Sequence, residues 1–313
     1  MIKIISVKYL TTIFVIFLFI AIKFSALATE NKILLKVNNE LITTIDISNE
    51  INYLKSINRN INDLENKKII EIARNSLIKD KIKKIVLTPI VKKMEINDDD
   101  FKRVLISNYS NTGLTKINEI FQHLKKYNVK PEFIRNKMTV NAIWSQFIYD
   151  KYSKNIKIDT NKLKQDIKRN ESQTEYLLSE IVFDLKEKQT IDEKFNIIKN
   201  AIENNGFENT ALIYSISETS TSGGNIGWVS ENSINKKILK KITEINTNSF
   251  TNPLVIPGGY LILKVNKKRI AEKDNKLEDE LKKIIEIKTN EQLNQFSNIF
   301  LNKIKKDVVI NEL

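Results

Sequence analysis

The sequence contains no cysteine. Disulfides, thiol catalysis and cysteine-ligated metal sites are therefore excluded. Histidine is almost as scarce, and His123, between Phe121 and Leu124, is the only one. It reads as a packed or surface residue of a helix. Neither a histidine-based triad nor a histidine-cluster metal site is built from it, and no cofactor is expected. Glycine is sparse and uneven: six of the seven lie between Gly206 and Gly259. After the first 28 residues no long apolar run occurs. A concentrated basic element is also missing, although the net charge is +13. The lysines are spread along the chain among Asp and Glu, so a nucleic-acid partner is not expected.

What is present begins with an export signal. Lys3 and Lys8 precede the apolar run 13–22, and Ala26-Leu27-Ala28 follows with the small-x-small pattern of a signal peptidase site. The apolar run is short for a spanning helix, which needs about 20 residues. We expect a signal peptide over 1–28, cleaved near Ala28, with no stable membrane insertion afterwards and a periplasmic location. A retained N-terminal anchor is the competing reading. The remaining length leaves room for about two domains. With 41% hydrophobic and 28% charged residues, the chain folds rather than stays disordered.

The segment 33–43, ILLKVNNELIT, reads as two short strands about Asn38-Asn39. Asp46 can cap the helix that follows. A longer helix is expected from about Leu64 to Met94, kinked or broken near Pro89. Asn97 with three aspartates after it marks another helix start, and Pro131 sits at a favoured first-turn position. Residues 44–155 thus read as helices with short connections. Their apolar stripes are either the core of a bundle or, in part, a groove for extended polypeptide.

From Glu175 the pattern changes. The stretch 176–185 reads as a strand, 191–204 as a helix, and Phe207 to Tyr214 as another short one. A Ser/Thr-rich run then meets Gly223, Gly224, Gly227 and Trp228. Glycines this close permit positive φ and close backbone approach. A helix over Ile234–Ile245 and a strand over 258–270 complete a small α+β unit of about 95 residues. Helix resumes from Lys273 to about Ile304, and 307–313 reads as a terminal strand. Its candidate partner is the early strand Ile33–Val37, which would join the chain ends around one domain.

The segments YLLSEIVF, GFENTALIYSIS, GGNIGW and PGGYLILKVNKKR, in this order, resemble a parvulin-type peptidyl-prolyl isomerase domain. The early VNNELIT, the helices and the closing FLNKIKKDVVINEL resemble the SurA family of periplasmic chaperones, in a form with one parvulin module. The resemblance implies an α+β fold. A helical SurA-like N-terminal domain would occupy 29–172, the inserted parvulin-like domain 173–271, and a C-terminal helix and strand (272–313) would pack on the first.

In parvulins, the resemblance implies, two histidines and an Asp or Cys serve the twisted amide. The corresponding positions here hold Glu180, Ser217 and Leu261, none of which keeps the pattern. Trp228, Ile234, Ile238 and Tyr260 are the candidate peptide contacts. The two isoleucines stand where active parvulins place apolar walls, and could equally be ordinary core. The resemblance implies an ATP-independent periplasmic chaperone for unfolded polypeptides, outer-membrane proteins above all, with a catalytically weak or inactive parvulin domain. An active peptidyl-prolyl isomerase is the alternative.

Overall fold

A computed structural model describes residues 31–169, 173–271 and 277–313. The leader and its cleavage point near Ala28 lie outside the described residues. Among the described residues, no helix is long and apolar enough to cross a membrane.

Two short strands open the described chain, β1 (Ile33–Val37) and β2 (Glu40–Thr43). They turn at Asn38, which takes a positive φ of 49°, a conformation asparagine tolerates better than most residues. The last strand, β7 (Ile310–Glu312), pairs antiparallel with β1, Leu35 opposite Glu312 and Val37 opposite Ile310. The chain ends therefore meet in one three-stranded sheet, ordered β2-β1-β7. That sheet belongs to the helical body.

Helix α1 (Thr44–Ile57) is capped by Thr43 rather than Asp46. The Thr43 hydroxyl accepts from the Asp46 N–H while the Asp46 carboxylate accepts from the Thr43 N–H, so Asp46 is the third residue of a capping box. Helix α2 (Asn66–Leu87) stops short of Pro89 instead of continuing to Met94. Pro89 has no N–H to extend the ladder, and the chain leaves in a turn. Helix α3 (Asp98–Tyr109) starts at the Asn97 cap, whose side chain accepts from the Asp100 N–H at 2.8 Å. Helices α4 (Ile117–Lys126) and α5 (Pro131–Tyr152, with proline in its first turn) complete the bundle. A polar helix, α6 (Thr160–Arg169), leads out of it.

The long helix α9 (Leu277–Lys305) returns to the bundle. Trp144 of α5 packs on Phe147 and Phe300, and its indole N–H donates to Ser297 Oγ at 2.8 Å. One core cluster runs through both ends of the chain, from Leu35 and Val37 to Leu301.

The inserted unit holds a four-stranded antiparallel sheet ordered β4-β3-β6-β5. Its strands are β3 (Gln173–Phe183), β4 (Asn225–Ser230), β5 (Leu254–Ile256) and β6 (Gly259–Ala271). The fold is therefore α+β. Sequence periodicity marks β3 and β6 but neither β4 nor β5. Between β3 and β4 runs α7 (Ile191–Tyr214), two helices joined at Gly206, whose φ of 78° and ψ of 164° break the helical path. Helix α8 (Lys236–Thr243) is shorter than the expected 234–245, because Asn235 caps it and Ile234 is extended.

Two apolar clusters flank this sheet. Tyr176, Leu178, Val182, Leu261, Leu263 and Val265 face α8. Ile181, Phe183 and Ile262 face α7, against Ile198, Phe207 and Ala211. The alternation along β3 and β6 produces this division, since successive strand side chains point to opposite faces.

Candidate functional site

Strand β3 places Glu180 between Leu178 and Val182 on the face that meets α8. Its backbone N–H donates to Gly224 O at 2.8 Å. A Cβ on Gly224 would lie 2.1 Å from Glu180 O, and Gly224 holds a φ of 76°. Only glycine allows this crossing. The glycine run thus presses the loop onto β3 at the position of Glu180.

Just before those glycines, Ser217 caps a 3₁₀ turn over Glu218–Ser222. Its hydroxyl donates to Glu180 Oε1 at 2.6 Å, and the Thr219 hydroxyl donates to the same oxygen at 2.8 Å. Two of the expected site positions, Glu180 and Ser217, are therefore in direct contact. Thr219 joins them, a residue that sequence reasoning missed. Its only signal was a second hydroxyl two residues after Ser217. Burial pushes the Glu180 carboxyl above the usual carboxylate range, and the two hydroxyl donors offset part of that rise.

Leu261 is buried at 7% exposure, opposite Val182 on β3 and Leu254 on β5. It belongs to the apolar cluster that Ile234 and Ile238 pack against. An aliphatic side chain there offers neither a donor nor an acceptor. Tyr260 lies on the other face, stacked on Phe183 with ring centroids 5.4 Å apart. Trp228 stands on the edge strand β4, 36% exposed, with the Arg269 guanidinium 4.1 Å from its ring centroid. Arg269 is in turn paired with Glu175 at 2.6 Å. The four candidate peptide contacts consequently fall into three groups. Ile234 and Ile238 share the Leu261 face, Tyr260 lies behind the sheet, and Trp228 sits at its edge.

The α9 helix of the body reaches this cleft. Burial among the surrounding atoms raises the Glu291 carboxyl to about 7, Lys288 opposes the rise, and the nearby Glu180 adds to it. One turn away along α9, Lys288 donates to Ser233 O, beside Ile234.

His123 takes no part in this site. Its Nε2 lies 2.7 Å from Ser56 O, and its ring sits between Tyr109 and Tyr127. It lines a cavity of 310 Å³ in the helical body with Ser56, Ile57, Arg59, Thr112 and Leu114. Among the described residues, no group of His, Cys, Asp or Glu is arranged to hold a metal.

Residues 176–267 match the rotamase family, the PPIC-type PPIASE domain. The Chaperone SurA of Pseudomonas putida is 23% identical over 195 residues, which cover 58% of this chain and 45% of that protein. The aligned region thus spans less than half the length of that curated relative. A solved PpiC-type peptidyl-prolyl cis-trans isomerase domain is 24% identical, covering 33% of this chain and 96% of its own, at a TM-score of 0.29. A SurA-like chaperone structure from Campylobacter jejuni is 18% identical and covers 90% of this chain and 99% of its own, at a TM-score of 0.33. A PrsA peptidylprolyl isomerase from Bacillus anthracis, also 18% identical, covers 75% and 97%, at a TM-score of 0.30.

Proposed function

We propose that this SurA-like chain, with a PPIC-type parvulin domain at 176–267, is an ATP-independent periplasmic chaperone for unfolded outer-membrane polypeptides. Its parvulin domain holds peptide with little or no isomerase turnover. In this reading a leader over 1–28 directs export. The body comprises 29–172 with 272–313, and 173–271 is the inserted module.

The observation that supports weak turnover is the state of the three family positions. Rotating an X-Pro bond faces a barrier of about 20 kcal/mol, so a catalyst must place polar groups where the twisted amide develops charge. Here both hydroxyls are spent on Glu180 Oε1, and the third position is the buried Leu261. Half-buried apolar surface at Ile234 and Ile238, which pack against the Leu261 cluster, still favours peptide burial, at about 25 cal/mol per Å². Binding a substrate and its transition state equally well leaves the barrier unchanged. Trp228 and Tyr260 are kept as outlying contacts for a longer peptide.

An active isomerase is the second reading. The polar trio of Glu180, Ser217 and Thr219 favours it, because a raised carboxyl with adjacent hydroxyls can donate to an amide. Holdase assays with an unfolded outer-membrane barrel protein test the first reading. Suppressed aggregation is expected, and an absence of both suppression and peptide binding would refute it.

A further inference from the structure

The end of α1, the 3₁₀ turn Arg59–Asp63, the loop after α3 and helix α4 converge on the 310 Å³ cavity beside His123. Its wall residues divide by what their hydrogens already do. His123 Nε2 faces Ser56 O at 2.7 Å, and a carbonyl only accepts, so that ring hydrogen is committed. The Ser56 hydroxyl donates to Tyr53 O at 2.6 Å, and the Thr112 hydroxyl donates to Tyr109 O at 2.7 Å. The donors still unspent are the Arg59 guanidinium, which pairs with no described acid, and the Leu114 backbone N–H, which meets no described acceptor. Beside them Asn58, 8% exposed, leaves its Nδ2 without a partner among the described residues. The Ile57 and Leu114 side chains, half-buried and packed on the body's core, make the apolar part of the wall.

A guanidinium is a planar fork of N–H donors that matches a carboxylate. The C-terminal end of α1 places about half a negative charge nearby. The full charge of Arg59 outweighs it, so the pocket favours an anion. Its volume lies at the small end of ligand sites, which run from about 300 to 1,000 Å³. That is room for a chain end, and too little for a dinucleotide or a folded partner. The rim also touches the parvulin module. Asn60, beside Arg59, donates to Glu208 of α7, and Asn111, beside Thr112, donates to Asn225 O at 3.3 Å. Gly223 faces Asn58, whose Nδ2 lies 3.1 Å from where a Cβ would stand, and the next residue, Gly224, rests on Glu180 O. The segment 223–225 thus meets Glu180 on one side and the rim of the pocket on the other.

We propose that this pocket is a carboxylate site that takes the free C-terminus of an extended polypeptide. Arg59 and the Leu114 N–H hold the carboxylate, and Ile57 and Leu114 pack on the last side chain. The backbone of an internal stretch of chain brings only neutral amides and leaves the Arg59 fork without a charge to answer. An internal Asp or Glu carries the right group, but must bring two flanking lengths of chain to a small cavity. A chain end needs one. Holding that end beside the module raises the effective concentration of the rest of the chain at the Ile234 and Ile238 surface. That the bound chain is an unfolded client rests on the chaperone reading; the carboxylate pocket itself does not.

The test uses the full chain and a pair of fluorescent unfolded peptides of one sequence, one ending in a free carboxylate and the other in a carboxamide. The acid should bind about tenfold more tightly than the amide, the scale of one charge-assisted hydrogen-bonded pair. That gap should close in Arg59→Gln, an exposed position, and narrow as salt rises. Equal affinities of acid and amide for the wild-type chain, or a gap that survives Arg59→Gln, would overturn the pocket. An NMR titration with N-acetyl-leucine and N-acetyl-leucinamide reads the pocket without a long peptide. The small acid should shift the Leu114 amide and the Arg59 Nε–H, and the small amide neither. No shift with the acid, or equal shifts with both, would overturn the carboxylate assignment whether or not the long peptides bind. Shifts with the small acid while neither long peptide binds would refute the polypeptide end as its ligand, leaving a pocket for small free acids and removing the chaperone reading.

Discussion

Replacing Lys137 by methionine is expected to remove much of the helical body's margin of stability. Lys137 is buried on α5, 2.9 Å from Glu50 and 2.5 Å from Asp80, with side-chain exposures of 5%, 0% and 20% respectively. Burial alone would lower its affinity for a proton, but Asp80 and Glu50 outweigh burial and hold the ammonium above the usual lysine range. A single charge pair at about 4 Å with an effective dielectric near 20 is worth about 4 kcal/mol. The desolvation of both ions offsets much of that in the intact pair. Removing only the cation, however, leaves two carboxylates beside each other with that desolvation uncompensated. The expected loss is about 3–5 kcal/mol, against a total stability of roughly 5–15 kcal/mol for a domain.

The assay is urea denaturation followed by tryptophan fluorescence in a Trp228→Phe background. Trp144 is then the only tryptophan, and it lies in the body's core. Glu50 already has its carboxyl raised by burial, with Asp80 adding to the rise and Lys137 opposing it. A carboxyl whose folded pKa is raised costs stability as pH climbs from its unfolded value through its folded one. The Lys137→Met penalty should accordingly be largest above the raised Glu50 midpoint and shrink as pH falls through it, when Glu50 takes a proton. A loss below about 1 kcal/mol, the scale of an exposed pair, or a penalty indifferent to pH, would refute the reasoning.

Further outcomes follow for the module. Gly224→Ala should destabilise it by about 1–3 kcal/mol or more, from positive φ and the clash with Glu180 O; thermal melts followed at Trp228 measure this. The Glu291 carboxyl should titrate at about 7 by NMR, and Glu180→Gln should lower that midpoint, because Glu180 adds to the rise. By the same sign rule, Glu291 weakens the fold as pH rises from about 4.5 to about 7, so Glu291→Gln should flatten the stability profile across that window. A midpoint near 4.5 would show Glu291 to be free of the cleft. Thr43→Ala should cost about 1 kcal/mol through the lost cap of α1, read as a shift in the denaturation midpoint.

Local signals in the sequence carried much of the fold. The Asn38 turn, the Asn97 cap, the Pro131 first turn and the Gly206 break each depend on residues within a few positions. The sequence resemblance named Glu180 and Ser217 as occupants of family positions, and the fold brings the two into direct contact. What stayed hidden depends on distant partners. Asn225–Ser230 looks like a glycine loop, and becomes strand β4 only by pairing Gly227 and Trp228 with Leu178 and Leu177. The register shifts there, between Leu178 and Ser179, so alternation does not carry the face assignment through to Trp228. Tyr260 and Leu261 are different. As neighbours on one strand they must face opposite sides, so strand alternation alone is enough to separate them. Nothing local pairs Lys83 with Glu218, which are 135 residues apart, and the capping box at Thr43 and Asp46 is reciprocal, so either residue could have been taken for the cap.

In the proposed function, this parvulin site binds peptide without accelerating isomerisation. Exchange spectroscopy on an Ala-Pro peptide, with the full chain and with binding measured in the same sample, tests it most directly. Bound peptide is expected, with cis–trans exchange at the uncatalysed scale of tens of seconds or slower. Clear acceleration, lost in Glu180→Gln or Ser217→Ala, would contradict it.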